Sequence, residues 1–221
     1  MGDNRMSKPD MKNTARTRAR YDRIARFYDL MEQRGEKRMA PWRAELWMRV
    51  KGPRVLEVGV GTGKNIPYHP GNAQVTAIDL SPRMLERARK RAAELATEVS
   101  LQEADVQALP FLDGEFDTVV ATFVFCSVPD PVLGLTELRR VLKPSGQLLL
   151  LEHVLPRHWL LAPVMRAVNP MVVRMMGANI DRQTVRNVEL AGFVNLSVED
   201  LRLDIFKRIE AKAPSFEGGV E

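Results

Sequence analysis

The residues with the most chemistry to offer sit in one stretch, Arg54-Val55-Leu56-Glu57-Val58-Gly59-Val60-Gly61-Thr62-Gly63. Val55, Leu56 and Val58 make a short apolar run with β character, the pattern of a strand covered on both faces. Gly59, Gly61 and Gly63 then recur at alternate positions. A glycine turn after a buried strand lets a ligand approach the backbone with no Cβ in between. Two phosphate-binding patterns are not met. The dinucleotide fingerprint needs a sixth-position Gly where this chain has Lys64. The P-loop needs a hydroxyl after Gly-Lys, and Asn65 stands there. Glu57, two residues before the turn, would repel a pyrophosphate and suit a ligand carrying positive charge.

Two more acids follow the same logic. Gln74-Val75-Thr76-Ala77-Ile78-Asp79 reads as the next strand and ends in an acid about 20 residues past the turn, where it can accept from both hydroxyls of a ribose. Asp105 closes the third strand, Val99 to Glu103. Three acids at successive strand ends favour a cationic nucleoside over a phosphorylated one. S-adenosylmethionine (SAM) has an ammonium, a sulfonium, a ribose diol and an adenine amine, and no phosphate.

The motifs E-V-G-V-G-T-G, A-I-D-L-S, A-D-V-Q-A-L-P-F, F-D-T-V-V-A-T-F-V-F-C and L-K-P-S-G occur in that order between Arg54 and His153. Together they resemble class I SAM-dependent methyltransferases. The opening Tyr21-Asp22-Arg23-Ile24-Ala25-Arg26-Phe27-Tyr28-Asp29 and the stretch Leu151-Glu152-His153-Val154 resemble one branch of that class. It contains ubiquinone/menaquinone C-methyltransferases and the bacterial phospholipid N-methyltransferases similar to them. The resemblance implies a Rossmann-like α/β fold, SAM as cofactor and S-adenosylhomocysteine as product. It implies cofactor contacts from Tyr21, Glu57, Gly59, Gly61, Thr62, Gly63, Asn65, Asp79, Leu80, Met84, Asp105, Val106 and Thr122.

The elements that must position these residues follow from the chain's patterning. At 221 residues with 45% apolar content, one domain with embellishments and a sizeable core is expected. A single cysteine and three scattered histidines (His69, His153, His158) argue against a disulfide framework and a metal site. No apolar leader opens the chain, so a cytoplasmic protein is expected; peripheral association with the inner membrane is what the resemblance implies. Residues 1–27 hold eight basic and three acidic residues, a difference equal to the whole net charge of +5. From Asn13 a helix is predicted. Its residues Tyr21, Ile24, Ala25, Tyr28 and Met31 share one face and its arginines lie off it, which suits either a membrane surface or a cover over the cleft. A second helix is predicted over Ala40–Val50, with Pro41 near its start. Residues 1–50 thus form basic N-terminal helices.

Strands at 54–58, 74–79, 99–103, 117–123 and 147–153 alternate with helices at 64–68, 82–96 and 131–141. That alternation means a doubly wound parallel sheet, here a SAM-binding core over 54–155. Residues 156–180 form a very apolar insertion broken by Pro163, Pro170, Arg166 and Arg174. Two short helices making an apolar lid are expected, the alternative being a buried pair or a dimer seam. A helix over 181–191 and an antiparallel hairpin, 194–203 with 205–211, close the chain through 213.

Methyl transfer needs alignment and exclusion of water more than a strong catalytic group. For an amine acceptor, Tyr21, Tyr28 and His153 are candidates to take a hydrogen bond or hold the cation, unless they simply pack. Arg166 and Arg174 are candidates for a lipid phosphate. Cys126 lacks a preceding Pro, and the strand before it lacks the Asn/Asp-Pro-Pro-Tyr motif, so nucleic acid is not an expected partner. An anionic membrane and a phospholipid are, with no obligate protein partner. The leading expectation, which the resemblance implies, is methylation of phosphatidylethanolamine towards phosphatidylcholine. Methylation of a quinone carbon or another small hydrophobic acceptor is the alternative, and a non-catalytic SAM-binding membrane adaptor a third reading.

Overall fold

The computed structural model describes residues 9–155, 161–176, 179 and 181–215. Its centre is one seven-stranded sheet in the order β3-β2-β1-β4-β5-β7-β6. The strands are β1 (Arg54–Val58), β2 (Gln74–Asp79), β3 (Ser100–Glu103), β4 (Phe116–Thr122), β5 (Leu142–His153), β6 (Val194–Arg202) and β7 (Phe206–Lys212). β1 to β5 pair in parallel, and β7 is antiparallel to both β5 and β6. The helices are α1 (Met11–Trp47), α2 (Pro82–Glu94), α3 (Pro131–Val141), α4 (Leu161–Met176) and α5 (Thr184–Leu190). The α/β doubly wound architecture is the expected one.

Strand periodicity divides the core into two layers. Leu56, Val58, Val119, Ala121, Leu148 and Leu150 face one side, packing with Leu135 and Leu138 of α3 and Val188 of α5. Val55, Val120, Leu149 and Leu151 face the other and pack on Leu46 and Trp47 of α1. Successive side chains of a strand point to opposite faces, so an unbroken apolar run such as Leu148–Leu151 is what a doubly covered strand requires. α2 begins where Ser81 caps it, its Oγ accepting from Met84 N at 3.2 Å, with Pro82 in the first turn.

The chain departs from expectation in three elements. α1 is one helix of 37 residues, about 55 Å long, and not two. Pro41 sits inside it, exposed, while Trp42, Arg43, Leu46 and Trp47 face inward, so packing on the buried side holds the helix through the missing backbone bond. The stripe Tyr21, Ile24, Ala25 and Tyr28 turns inward, whereas Phe27, Leu30 and Met31 are exposed. Met31 is therefore off the predicted face. The helix expected over 64–68 is a single 3-10 turn, Ile66–Tyr68. In the insertion, α4 is one helix running through Pro170; Trp159 and Leu160, expected in the lid, lie outside the described residues.

Pro41 removes one intrahelical bond on the exposed side of α1, so Pro41→Ala restores it. Thermal unfolding should show a rise of about 1–3 kcal/mol in stability. An unchanged or lowered melting temperature would mean that the helix needs a bend there.

Candidate functional site

α1 crosses the carboxyl ends of the parallel strands and is tied past four of them, β3, β2, β1 and β4, in turn. Near its start, Thr14 Oγ1 donates to Asp105 past β3 at 3.1 Å. Ser81 Oγ, past β2, donates to Asp22 at 2.6 Å. Thr62 Oγ1, in the glycine turn past β1, donates to Asp29 at 2.6 Å, and Arg87 and Arg91 of α2 donate to the same carboxylate. Lys64 donates to Glu32 at 2.8 Å. Arg43 donates to Asn65 at 2.9 Å and to Thr122 at the end of β4 at 2.7 Å.

Between this helix and the strand ends lies a cleft open to solvent. Its walls include nine of the residues expected to hold the cofactor: Tyr21, Gly59, Gly61, Asp79, Leu80, Met84, Asp105, Val106 and Thr122. The glycine turn is shaped for close approach. Gly59 has φ +66°, and a Cβ there would lie 2.4 Å from Val124 Cγ2. Asp79 accepts from Gly61 N and from Ser81 N, both at 2.9 Å, so the turn and the start of α2 fix its carboxylate. Burial pushes the Asp79 carboxyl up to about 6 against those two bonds, and nearby Glu57 and Asp22 add to the rise. Asp105 is held by Thr14 and by both the backbone and side-chain nitrogens of Gln107.

Glu57, Thr62, Gly63 and Asn65 stand behind the cleft wall. Glu57 is fully buried and accepts from Asn65 Nδ2 at 2.7 Å and from His69 Nε2 at 2.8 Å. Its partners are protein groups, which differs from the ligand-facing role its place in the motif suggested. Thr62 and Asn65 are engaged with α1 as described above. The expected headgroup residues Arg166 and Arg174 lie on exposed positions of α4, away from the cleft lining; Arg166 lines a second cavity with Val154 and Lys207.

On the cleft wall, Tyr21 and Tyr28 stand 6.5 Å apart, ring to ring. Burial lifts both phenols well above their ordinary value, and Glu32 raises Tyr28 further, so both keep their protons at neutral pH. Lys64 Nζ lies 5.2 Å from the centre of the Tyr28 ring. His153 is not on the cleft wall; burial lowers its imidazole from the ordinary value, so it is neutral there. The wall also contains Thr17, Phe123, Val124, Ser127, Val128 and Pro129, which the motifs do not mark. Phe123 has φ +58°, a costly conformation for an aromatic residue, held by a backbone bond to Leu151 O and by Phe206 against its ring. Thr17 sits one turn before Tyr21, and that spacing was the signal available for it.

The fit to SAM is chemical as well as spatial. Asp79 offers a fixed carboxylate for a diol, the glycine turn offers bare backbone, and the apolar side chains of Leu80, Met84 and Val106 offer faces for a purine.

A family profile described as "Methyltransferase domain" matches residues 56–150. A phosphatidylethanolamine N-methyltransferase of Cereibacter sphaeroides is 41% identical over 108 residues, 48% of this chain and 53% of the relative. A demethylmenaquinone methyltransferase of Deinococcus radiodurans is 33% identical over 162 residues, 72% of this chain and 66% of the relative. The chain thus spans about half to two-thirds of the length of these two relatives. Among solved structures, a SAM-dependent methyltransferase of Thermotoga maritima superposes with a TM-score of 0.69 at 22% identity, covering 89% of this chain and 99% of that one. The fold and cleft define a Rossmann-like methyltransferase. The chain belongs to the class I SAM-dependent methyltransferases, and SAM is its cofactor.

If the ribose hydroxyls donate to Asp79, binding favours its ionised form. SAM affinity measured by calorimetry should then fall by up to tenfold per unit as pH drops below about 6. Asp79→Ala should cost roughly 1–3 kcal/mol of SAM binding at pH 8 and flatten that dependence. Unchanged affinity in the variant would remove Asp79 from the ribose.

Proposed function

We propose that this chain transfers methyl groups from SAM to the amine of phosphatidylethanolamine at the surface of an anionic membrane. The observation that carries this reading is the 41% identity to a phosphatidylethanolamine N-methyltransferase. Surface chemistry supports it. Val164, Val168 and Met171 are exposed on α4, the helix that also carries Arg166 and Arg174. Apolar side chains beside arginines suit acyl chains beneath a phosphate layer. No described helix is long and apolar enough to cross a membrane, so in this reading the enzyme binds the surface peripherally from the cytoplasmic side.

Within the cleft, the chain's part is to position the acceptor and exclude water. Tyr21 and Tyr28, both protonated, offer ring faces and oxygen lone pairs to a primary ammonium. Outside the cleft, the exposed Arg166 and Arg174 of α4 meet the phosphates of the membrane surface. A second reading, methylation of a quinone carbon, is favoured by the longer match to the demethylmenaquinone methyltransferase, 72% of this chain. It needs no phosphate contact.

Purified protein with methyl-labelled SAM should label phosphatidylethanolamine in mixed micelles. Label that reaches only a demethylmenaquinol would overturn the lipid assignment in favour of the second reading. With no label on either, calorimetric SAM binding would point to an adaptor.

Docking through basic groups should also be salt-sensitive, since each contributes about 1 kcal/mol near an anionic surface and is screened over about 8 Å at physiological salt. Co-sedimentation with phosphatidylglycerol vesicles should exceed that with phosphatidylcholine vesicles and weaken as salt rises. Equal binding to both would contradict an electrostatic mechanism.

A further inference from the structure

Two buried polar atoms at the end of β5 have no hydrogen-bond partner among the described residues. Glu152 is fully buried. Its Oε1 accepts from the backbone nitrogens of Val124 at 2.8 Å and Phe125 at 3.0 Å. Its Oε2 is sealed from water and has no donor, and Nδ1 of His153 is in the same condition. Native folds leave few buried polar atoms unpaired, so a pair in adjacent residues points to a partner of another kind.

A third group stands with them. One ligating atom from each of Cys126, Glu152 and His153 lies within 4.8 Å of the other two. Cys126 is buried, and its thiol has only a long contact to Phe123 O, at 3.5 Å. Cys126 comes from the loop after β4, the other two from the end of β5, the neighbouring strand. Sequence positions that argue against a metal site when read along the chain therefore converge in the fold.

We propose that Cys126, Glu152 and His153 form a Zn²⁺ site. A sulfur, an oxygen and a nitrogen donor are the mixed set that Zn²⁺ takes, whereas Mg²⁺ and Ca²⁺ want oxygen alone. Donors about 2.0–2.3 Å from a tetrahedral ion lie roughly 3.3–3.7 Å from one another, so side-chain rotations of about 1 Å close the site. On binding, the S–H bond of Cys126 breaks and a sulfur–zinc bond forms, the proton leaving to water. Glu152 binds as the carboxylate through Oε2, and His153 as the neutral imidazole. Two negative charges then meet a divalent cation, and the buried site carries no net charge.

The ligands are carried on fixed backbone. The Cys126 carbonyl accepts from Asn179 N at 2.8 Å and from Asn179 Nδ2 at 3.2 Å. Glu152 is oriented by its two backbone donors, and His153 is paired in register with Phe206 of β7. Such outer contacts aim the ligands. Other cations nearby are occupied. Arg182 donates to Val128 O at 2.7 Å, and Lys207, one register position from Phe206, donates to Asp204 at 2.6 Å. The ion would tie β5 to the loop whose Phe123, Val124, Ser127 and Val128 line the cleft. Three protein ligands leave a fourth position for water or another donor. The site stands whichever acceptor is methylated.

The test uses the untagged full-length protein, stripped with a chelator and titrated with ZnCl₂ and CoCl₂. Calorimetry should show one Zn²⁺ bound per chain, with a rise in melting temperature over the stripped protein. The cobalt form should show a thiolate-to-cobalt charge-transfer band in the near ultraviolet, lost in Cys126→Ala. Zn²⁺ affinity should fall by about 100-fold or more in Cys126→Ala, His153→Ala and Glu152→Gln, beyond what losing an outer contact costs. The melting temperatures of the stripped variants should stay near that of the stripped wild type. If Glu152→Gln does not fold, the other two variants carry the comparison, since neither removes an acceptor from a buried backbone N–H. Failure of the wild type to bind one equivalent would overturn the proposal. So would a cobalt form without the charge-transfer band, or Zn²⁺ binding unchanged in Cys126→Ala and His153→Ala, which would place the ion elsewhere on the chain.

Discussion

Arg43 is 4% exposed, and its guanidinium is shared among Glu36 on its own helix, Asn65 behind the glycine turn and Thr122 at the end of β4. A buried guanidinium needs such partners, because leaving one uncompensated costs several kcal/mol. The node joins α1, the cofactor turn and the central strand. Asn65 in turn donates to Glu57, so the acid of the motif is satisfied through the same chain of bonds. Moving α1 away at this point would strand several buried polar groups at once.

The rest of α1 is held by bonds to buried groups. Thr14, Ser81 and Thr62, whose hydroxyls bond to Asp105, Asp22 and Asp29, are 7%, 0% and 1% exposed. Arg87 and Arg91 add ion pairs to Asp29. Polar groups so buried cost free energy when a partner is lost. The cleft lies under this part of the helix, with Thr17, Tyr21 and Tyr28 on its wall.

Much of this was legible in the sequence. The alternation of apolar runs with helical patterns set the sheet, because a strand covered on both faces can only read as an unbroken apolar run. The glycine turn and Asp79 followed from spacing, since both lie within one βαβ unit. Glu57 was harder. Its partners Asn65 and His69 come from a turn whose path no periodicity encodes, so in the sequence a carboxylate in a ligand-binding motif reads as facing the ligand. The unity of α1 was missed because Pro41 is a sound signal for a helix start, and only packing of Leu46 and Trp47 against the sheet outweighs it. Two signals went unused. Arg43 shares a helix face with Leu46 and Trp47, three and four residues on, and an arginine on an apolar face needs a buried partner. Glu152 interrupts the apolar run of β5, which marks a buried charge in the same way.

The most direct test of this account is a crystal structure with S-adenosylhomocysteine bound. The ribose hydroxyls should lie within hydrogen-bonding distance of Asp79, with the adenine against Leu80, Met84 and Val106. The sulfur should point towards Tyr21 and Ser127, with α1 still bonded through Asp22, Asp29 and Arg43. A nucleoside bound outside this cleft, or a sulfur turned away from Tyr21 and Ser127, would contradict the assignment of cofactor and acceptor ends on which the account depends.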